Sequence, residues 1–294
     1  MGDKKPILDL LQEELIILDG AMGSLLIDQG LPAGAPPEIW NVSNPDKIKK
    51  IHQKYFDAGS NVVLTNTFGG SGLKLAAYKR ENSIEEYNRK AVEIAIESCP
   101  ENGYIAGDIG PSGTFLLPVG DITTIDFESN YQEQMQILAD AGVDLFFIET
   151  MVDLQEAEAA VKSVKSVSKL PVFVSMTYKK TKRGFFTIMG NSIEQCVASL
   201  QKLGVDAIGA NCTIGSDDMI ELIKELNLLT ELPIIAKPNA GQPQLIKGET
   251  VYPTTSKDFA KDISQIVKNN ARIVGGCCGT DPGFIEKIVQ KIKR

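Results

Sequence analysis

Lys202-Leu203-Gly204-Val205-Asp206-Ala207-Ile208-Gly209-Ala210-Asn211-Cys212 reads as the end of a helix, a glycine stop, a short continuous apolar strand and a polar strand end. Two more helices close on similar phrases, Asp57-Ala58-Gly59-Ser60-Asn61 and Asp140-Ala141-Gly142-Val143-Asp144. Glycine after a helix is a natural stop, because it adopts the left-handed backbone without strain. The recurrence marks the helix-to-strand turn of a repeated βα unit. Eight apolar runs fit strands: 16–20, 61–68, 104–110, 145–150, 171–178, 207–212, 233–239 and 272–278. Each is nearly continuous in Ile, Val, Leu or Phe, as parallel strands buried on both faces are.

The helical runs between them have recognisable starts. Asn44-Pro45-Asp46, Ser83-Ile84-Glu85-Glu86, Asn191-Ser192-Ile193-Glu194, Ser216-Asp217-Asp218 and Asp281-Pro282 offer cap residues, first-turn prolines or first-turn acids. Eight βα units in a chain of 294 residues predict an α/β fold, a single (β/α)8 TIM barrel occupying residues 1–294 as one domain. A doubly wound open sheet is the alternative. It would open on a GxGxxG turn, which Asp19-Gly20-Ala21-Met22-Gly23-Ser24 does not match well. Residues 24–44, 110–126 and 240–255 form long βα connections. A barrel places these at its C-terminal face, where they could close as lids over a site.

The net charge of −8 argues against a nucleic-acid partner, since phosphate binding wants a basic face. No apolar run reaches the roughly eighteen residues that span a bilayer. The N-terminus, MGDKKPILDLLQEE, breaks its apolar residues with charges and has no signal-peptide pattern. The expectation is a cytoplasmic protein without a membrane contact. One histidine, His52, nearly excludes His-based metal sites and Ser-His-Asp or Cys-His catalysis. It lies in the helical run NPDKIKKIHQKYFDAG and reads as a helix-surface or helix-packing residue.

The polar strand ends are Asp19, Thr65-Asn66-Thr67, Asp108, Glu149-Thr150, Asn211-Cys212, Asn239 and Cys277-Cys278. A barrel gathers them around one mouth. Cys212 ends the sixth strand and the pair Cys277-Cys278 ends the eighth, so all three lean toward one point. Adjacent cysteines on a regular strand face opposite ways. Both reach one metal only where the strand ends and bends, and Gly275, Gly276 and Gly279 give that freedom. Three thiolates and an open fourth position form the catalytic zinc pattern. Cys99 and Cys196 sit in helical runs and read as packing residues. A zinc ion on three thiolates carries a net negative charge and is a poor Lewis acid for hydrolysis. It suits binding a fourth sulfur and holding it as thiolate, ready to attack an electrophilic carbon. For an amino-acid thiol, Glu149 and Asp19 are candidate ammonium acceptors. The Gly23-Ser24 turn and the backbone near Thr67-Phe68-Gly69 are candidate carboxylate receptors. Lys237, late in the apolar strand PIIAKPN, leaves open an aldolase-type Schiff-base enzyme. A non-catalytic subunit that only binds a thiol or zinc is also open.

From Asp19-Gly20-Ala21-Met22-Gly23 to Gly275-Gly276-Cys277-Cys278-Gly279-Thr280, the chain resembles the homocysteine S-methyltransferase family. The first phrase and Lys237-Pro238-Asn239-Ala240-Gly241 look most like the homocysteine-binding module of cobalamin-dependent methionine synthases. They look less like the branches that use betaine or S-methylmethionine. The resemblance implies a barrel and a zinc ion on Cys212, Cys277 and Cys278, with Asp19 and Glu149 at the homocysteine amine. It also implies Asn239 at or near the open zinc position in the absence of substrate, and methylcobalamin as the methyl donor. The chain has no Asp-x-His-x-x-Gly phrase to ligate cobalt and no adenosylmethionine loop. The donor is therefore expected from a corrinoid protein, a separate cobalamin-binding module or a free small molecule.

Overall fold

The structure is a computed structural model that describes residues 4–32, 34–246 and 249–292. Eight parallel strands alternate with eight helices. The strands are β1 (Ile16–Ile17), β2 (Val62–Leu64), β3 (Tyr104–Ile109), β4 (Leu145–Met151), β5 (Val172–Met176), β6 (Ala207–Gly215), β7 (Ile234–Asn239) and β8 (Ala271–Val274). The helices that follow them are α1 (Pro45–Ala58), α2 (Ile84–Ser98), α3 (Thr124–Ala141), α4 (Leu154–Val167), α5 (Ile193–Lys202), α6 (Ser216–Asn227), α7 (Ser256–Lys268) and α8 (Pro282–Ile292). Each strand pairs with its sequence neighbours, and β1 also pairs with β8. A bridge from Leu18 to Val62 closes the ring between β1 and β2. The (β/α)8 barrel expected from the strand count is the observed fold.

The expected glycine stops hold. Gly59, Gly142 and Gly204 all take left-handed backbone, at φ 104°, 99° and 73°. The caps hold in part. Ser192 and Gln195 form a reciprocal capping box, whereas the side chains of Asn44 and Ser83 cap nothing. Strand ends were less legible. The run 61–68 keeps regular pairing only at Val62–Leu64, and the run 272–278 only to Val274, while β6 extends past Cys212 to Gly215. Two hairpins went unread. One, Lys179–Thr181 with Gly184–Phe186, follows β5; the other, Gln244–Ile246 with Glu249–Val251, follows β7. Lys247 and Gly248 of the 240–255 connection lie outside the described residues.

Two apolar layers make the core. Outside the sheet, Phe146, Ile148, Val172 and Val174 pack against the helices. Inside it, Leu64, Ala106, Leu145, Phe147, Phe173, Ala207, Ile235 and Ile273 fill the lumen, and Ile7 and Leu11 of an N-terminal helix join them. Side chains on a strand alternate faces. The inward register therefore continues upward from Phe147 to Glu149, from Ala106 to Asp108 and from Ile235 to Lys237. The lumen changes from apolar to charged within one step of two residues.

His52 lies on the packed face of α1, fully buried, with neither ring nitrogen hydrogen-bonded among the described residues. It is a packing residue. Burial lowers its pKa from 6.5 to about 4, so the folded ring stays neutral where the unfolded one takes a proton. Stability is lost as pH falls between those two values. Relative to a His52→Leu variant, the protein should lose on the order of 3 kcal/mol between pH 6.5 and pH 4 in urea unfolding; equal pH profiles would show that the ring is protonated in the fold.

Candidate active site

A cavity of about 240 Å³ opens at the C-terminal ends of the strands. Asp19, Ser24, Glu38, Asp108, Glu149, Lys237 and the three cysteines are on its wall. The Sγ atoms of Cys212, Cys277 and Cys278 all lie within 4.8 Å of one another. Cys212 and Cys278 are 3.9 Å apart. Two sulfurs bound tetrahedrally to zinc at roughly 2.3 Å stand about 3.8 Å apart. The donor type and spacing thus fit a zinc ion, with these three side chains as its holders. Cys196 is buried in α5, and Cys99 follows the last residue of α2; neither joins the cluster.

The turns that aim these sulfurs are stitched in place. Cys277 donates its N–H to Pro238 O (2.9 Å), and Ala240 donates to Cys278 O (3.0 Å). Thr280 Oγ1 donates to Cys277 O (2.7 Å). Gly276 has no room for a Cβ beside Thr280, and Gly279 has φ 79° with the Tyr252 ring against it. These glycines do what the sequence suggested. Cys212 gets no such help. Its own φ is 60°, that of Thr213 is 62° and that of Thr150 is 61°. A non-glycine residue held there costs of order 1–3 kcal/mol, so neighbours must impose it. Asn211 does so. Its Oδ1 accepts from Thr150 N (2.8 Å) and from Ser175 Oγ. Its Nδ2 donates to Thr150 Oγ1 (2.6 Å) and reaches Cys277 Sγ at 3.8 Å.

Without a cation the three thiols resist ionisation. Hydrogen bonding with Cys277 pushes Cys212 up to about 12. Hydrogen bonding with Cys212, together with burial, pushes Cys278 to about 11. A divalent ion between them would reverse this, since coordination removes the thiol proton.

Beside the sulfurs sits a buried charge cluster. Lys237 is 2 % exposed, and its Nζ donates to Glu149 Oε2 at 2.7 Å. Burial alone would lower the lysine's pKa. The carboxylates of Glu149 and Asp19 override that and hold it above its ordinary value. A Schiff-base lysine must lose its proton, so the aldolase reading finds no support here. Glu149, expected free for a substrate ammonium, is ion-paired to a lysine three strands away. Asp19 Oδ2 accepts from Leu64 N (2.8 Å), while Oδ1 has no partner among the described residues. Burial pushes Asp19 up to about 7, with Lys237 opposing. Asp108 is raised well above its ordinary value by burial and by Glu149.

Other expected residues land unevenly. Ser24 is on the wall, and its Oγ accepts weakly from Gly279 N (3.4 Å). Thr67 is off the wall. It is fully buried, and its Oγ1 donates to Asp108 O (2.8 Å), because the chain turns there to leave β2. Gly69 N donates to Glu38 Oε1 (2.7 Å), so the expected carboxylate receptor at 67–69 is partly occupied from within. Asn239 is buried behind the wall, with Oδ1 unpartnered among the described residues. Glu38 was missed. It follows two prolines in an irregular connection, where no strand or helix period announces a direction.

A barrel with a three-thiol cluster at the strand ends defines a candidate thiol-ligated metal site at the usual active-site face of this fold. The homocysteine S-methyltransferase profile matches residues 16–292, and the chain belongs to that family. It is 31 % identical to methionine synthase of Mycobacterium tuberculosis over 98 % of this chain, and 31 % identical to that of Mycobacterium leprae over 98 %. It spans about a quarter of the length of these relatives, 26 % and 25 %. Among solved structures, the homocysteine methyltransferase MmuM of Escherichia coli in its metallated form superposes with a TM-score of 0.82. The identity is 25 %, covering 98 % of this chain and 100 % of that one.

Removing the Lys237 charge leaves Glu149 buried and unpaired. Lys237→Met should cost about 3–5 kcal/mol in urea unfolding. Adding Glu149→Gln should restore more than half of the loss; a double variant whose loss equals the sum of the two single losses would mean that the pair contributes no coupling.

Proposed function

We propose that this chain, as one barrel domain over residues 1–294, binds homocysteine at the cavity and directs methyl transfer to its sulfur, giving methionine. The observation that carries the reading is the trio Cys212, Cys277 and Cys278 on the wall of a carboxylate-lined cavity, in a chain of this family. A zinc ion held there would keep a substrate thiol ionised at neutral pH, where a free thiol is mostly protonated.

The chain's own residues supply binding and orientation. Asp19 and Glu149 face the ammonium. Ser24 and the Gly23-Ser24 turn face the carboxylate. The unpartnered Oδ1 of Asn239 supports a place beside the metal before substrate arrives. The apolar lumen beneath excludes water from below the thiolate. No histidine base would be required, because a zinc ion on Cys212, Cys277 and Cys278 would itself lower the pKa of a bound thiol.

We infer a methylcobalamin donor, presented by a corrinoid protein or a cobalamin-binding module. The greater length of the mycobacterial methionine synthases supports this. So do exposed apolar side chains on the connections around the mouth: Phe115, Leu117 and Val119 after β3, Ile188 after β5 and Leu245 after β7. A second reading is a free small donor such as S-methylmethionine or betaine. The full-length match to the Escherichia coli homocysteine methyltransferase favours it. No helix among the described residues is long and apolar enough to cross a membrane. A site of reduced thiols wants a reducing compartment, and we expect the cytoplasm.

Single Cys→Ser variants at 212, 277 and 278 should each lose bound zinc and methionine formation while keeping the far-ultraviolet circular dichroism of the barrel. Cys99→Ser and Cys196→Ser should keep full zinc stoichiometry. Assays with methylcobalamin, S-methylmethionine and betaine in parallel identify the donor. Zinc-loaded protein that binds homocysteine yet forms no methionine from any of them would make the chain a binding subunit.

A further inference from the structure

Asn211 is fully buried in β6, and both polar atoms of its side chain are in use. Oδ1 accepts from Thr150 N (2.8 Å) and from Ser175 Oγ. Nδ2 has two N–H groups to give. One goes to Thr150 Oγ1 (2.6 Å), and the other reaches Cys277 Sγ (3.8 Å). The amide cannot be turned over. Thr150 N only donates, so the atom that faces it is the oxygen, and the nitrogen is left for the sulfur. Thr177 Oγ1 donates to the Asn211 carbonyl (2.8 Å), which fixes the main chain as well. Among the described residues, Asn211 is the one side-chain amide that hydrogen-bonds to a sulfur of the cluster.

The cluster poses a problem of choice. Cys212, Cys277 and Cys278 all line the cavity. With a metal ion bound they would be thiolates, and a thiolate is both ligand and nucleophile. A methyl donor in the cavity would meet these sulfurs as well as the substrate's. Attack by a cysteine would form an S–CH3 bond and break the bond from that carbon to its leaving group, which departs with the electron pair. The product is a neutral thioether, and the metal would lose a thiolate at each such event. A hydrogen bond to sulfur draws on the lone pairs that attack would use. An N–H aimed at an ionised sulfur is charge-assisted, and partners behind a metal ligand tune it.

Resting on the reading of this cavity as a zinc site for thiol methylation, we propose that Asn211 sets which sulfur is methylated. Its second N–H lowers the nucleophilicity of the Cys277 thiolate, so the methyl group passes to the substrate and the ligand is spared. Asn211 is a positioning residue that acts through Cys277.

Methyl iodide is the probe, because it carries an electrophilic methyl group and nothing else for the cavity to recognise. Zinc-loaded protein is treated without homocysteine, and fragment-ion mass spectrometry reads methylation at Cys212, Cys277 and Cys278 separately. In the wild type Cys277 should be the slowest of the three. Asn211→Asp keeps an oxygen for Thr150 N and Ser175 Oγ but has no N–H. It should raise the Cys277 rate relative to Cys212 and Cys278 by roughly fivefold, the worth of one hydrogen bond. The ratio is the readout, since the added charge acts on all three sulfurs. If the variant loses zinc or does not fold, a measurement on the wild type decides. In protein loaded with an NMR-active cadmium isotope, an Asn211 side-chain amide proton should show coupling to the metal across Cys277 Sγ. An unchanged methylation ratio in zinc-loaded Asn211→Asp, or no such coupling in cadmium-loaded wild type, would overturn the assignment and leave the proposed function standing. A wild type that takes up neither zinc nor cadmium would overturn both.

Discussion

One buried cation holds the upper layer of the barrel together. Lys237 rises from an apolar strand into a space shared with Asp19, Asp108 and Glu149, and it is held there by an ion pair with Glu149 at 2.7 Å. A pair so deep gains little net stability over two apolar side chains of the same shape. Its physical effect is to set charge. It gives Glu149 a buried cationic partner, while burial raises Asp19 and Asp108, each of which keeps a side-chain oxygen without a partner among the described residues.

The sulfur side of the cavity rests on a different constraint. Three thiols within 4.8 Å require chain bends that regular strands do not make. At Cys277-Cys278 glycines allow the bend. At Cys212 the bend is forced on residues that resist it, and Asn211 reaches across to β4 and β5 to hold it. The strained positions Thr150, Cys212 and Thr213 lie at the end of β4 and in the bulged end of β6, the same two strands that deliver Glu149 and the first thiol. Strain at these points is the cost of aiming side chains inward from the strand rims.

Much of the fold could be read from the chain because its signals are local. Continuous apolar runs marked all eight strands, and Gly59, Gly142 and Gly204 stopped helices where expected. The hairpin Lys179–Thr181 with Gly184–Phe186 escaped because its arms have three residues each, the first polar and exposed and the second with Phe185 alone buried, too short for any alternation to show. The strand ends were overrun for a related reason. Thr65 to Phe68 follow the apolar run Val62–Leu64 with no turn residue between, but hydrogen bonding there passes from the sheet to side chains such as those of Asn41 and Thr65.

The sequence by itself determined the barrel, the three cysteines and the family, since residue type, spacing and strand-end position carry that information. Only the tertiary structure decided how the charges are partnered. Lys237 and Glu149 are 88 positions apart, and nothing local says that one will neutralise the other. It likewise turned Thr67 away from the cavity, exposed Glu38 to it, and left Asp108 with a side-chain oxygen unpartnered among the described residues. Period two fixes which face of a strand a side chain takes; closure of the ring fixes whom it meets.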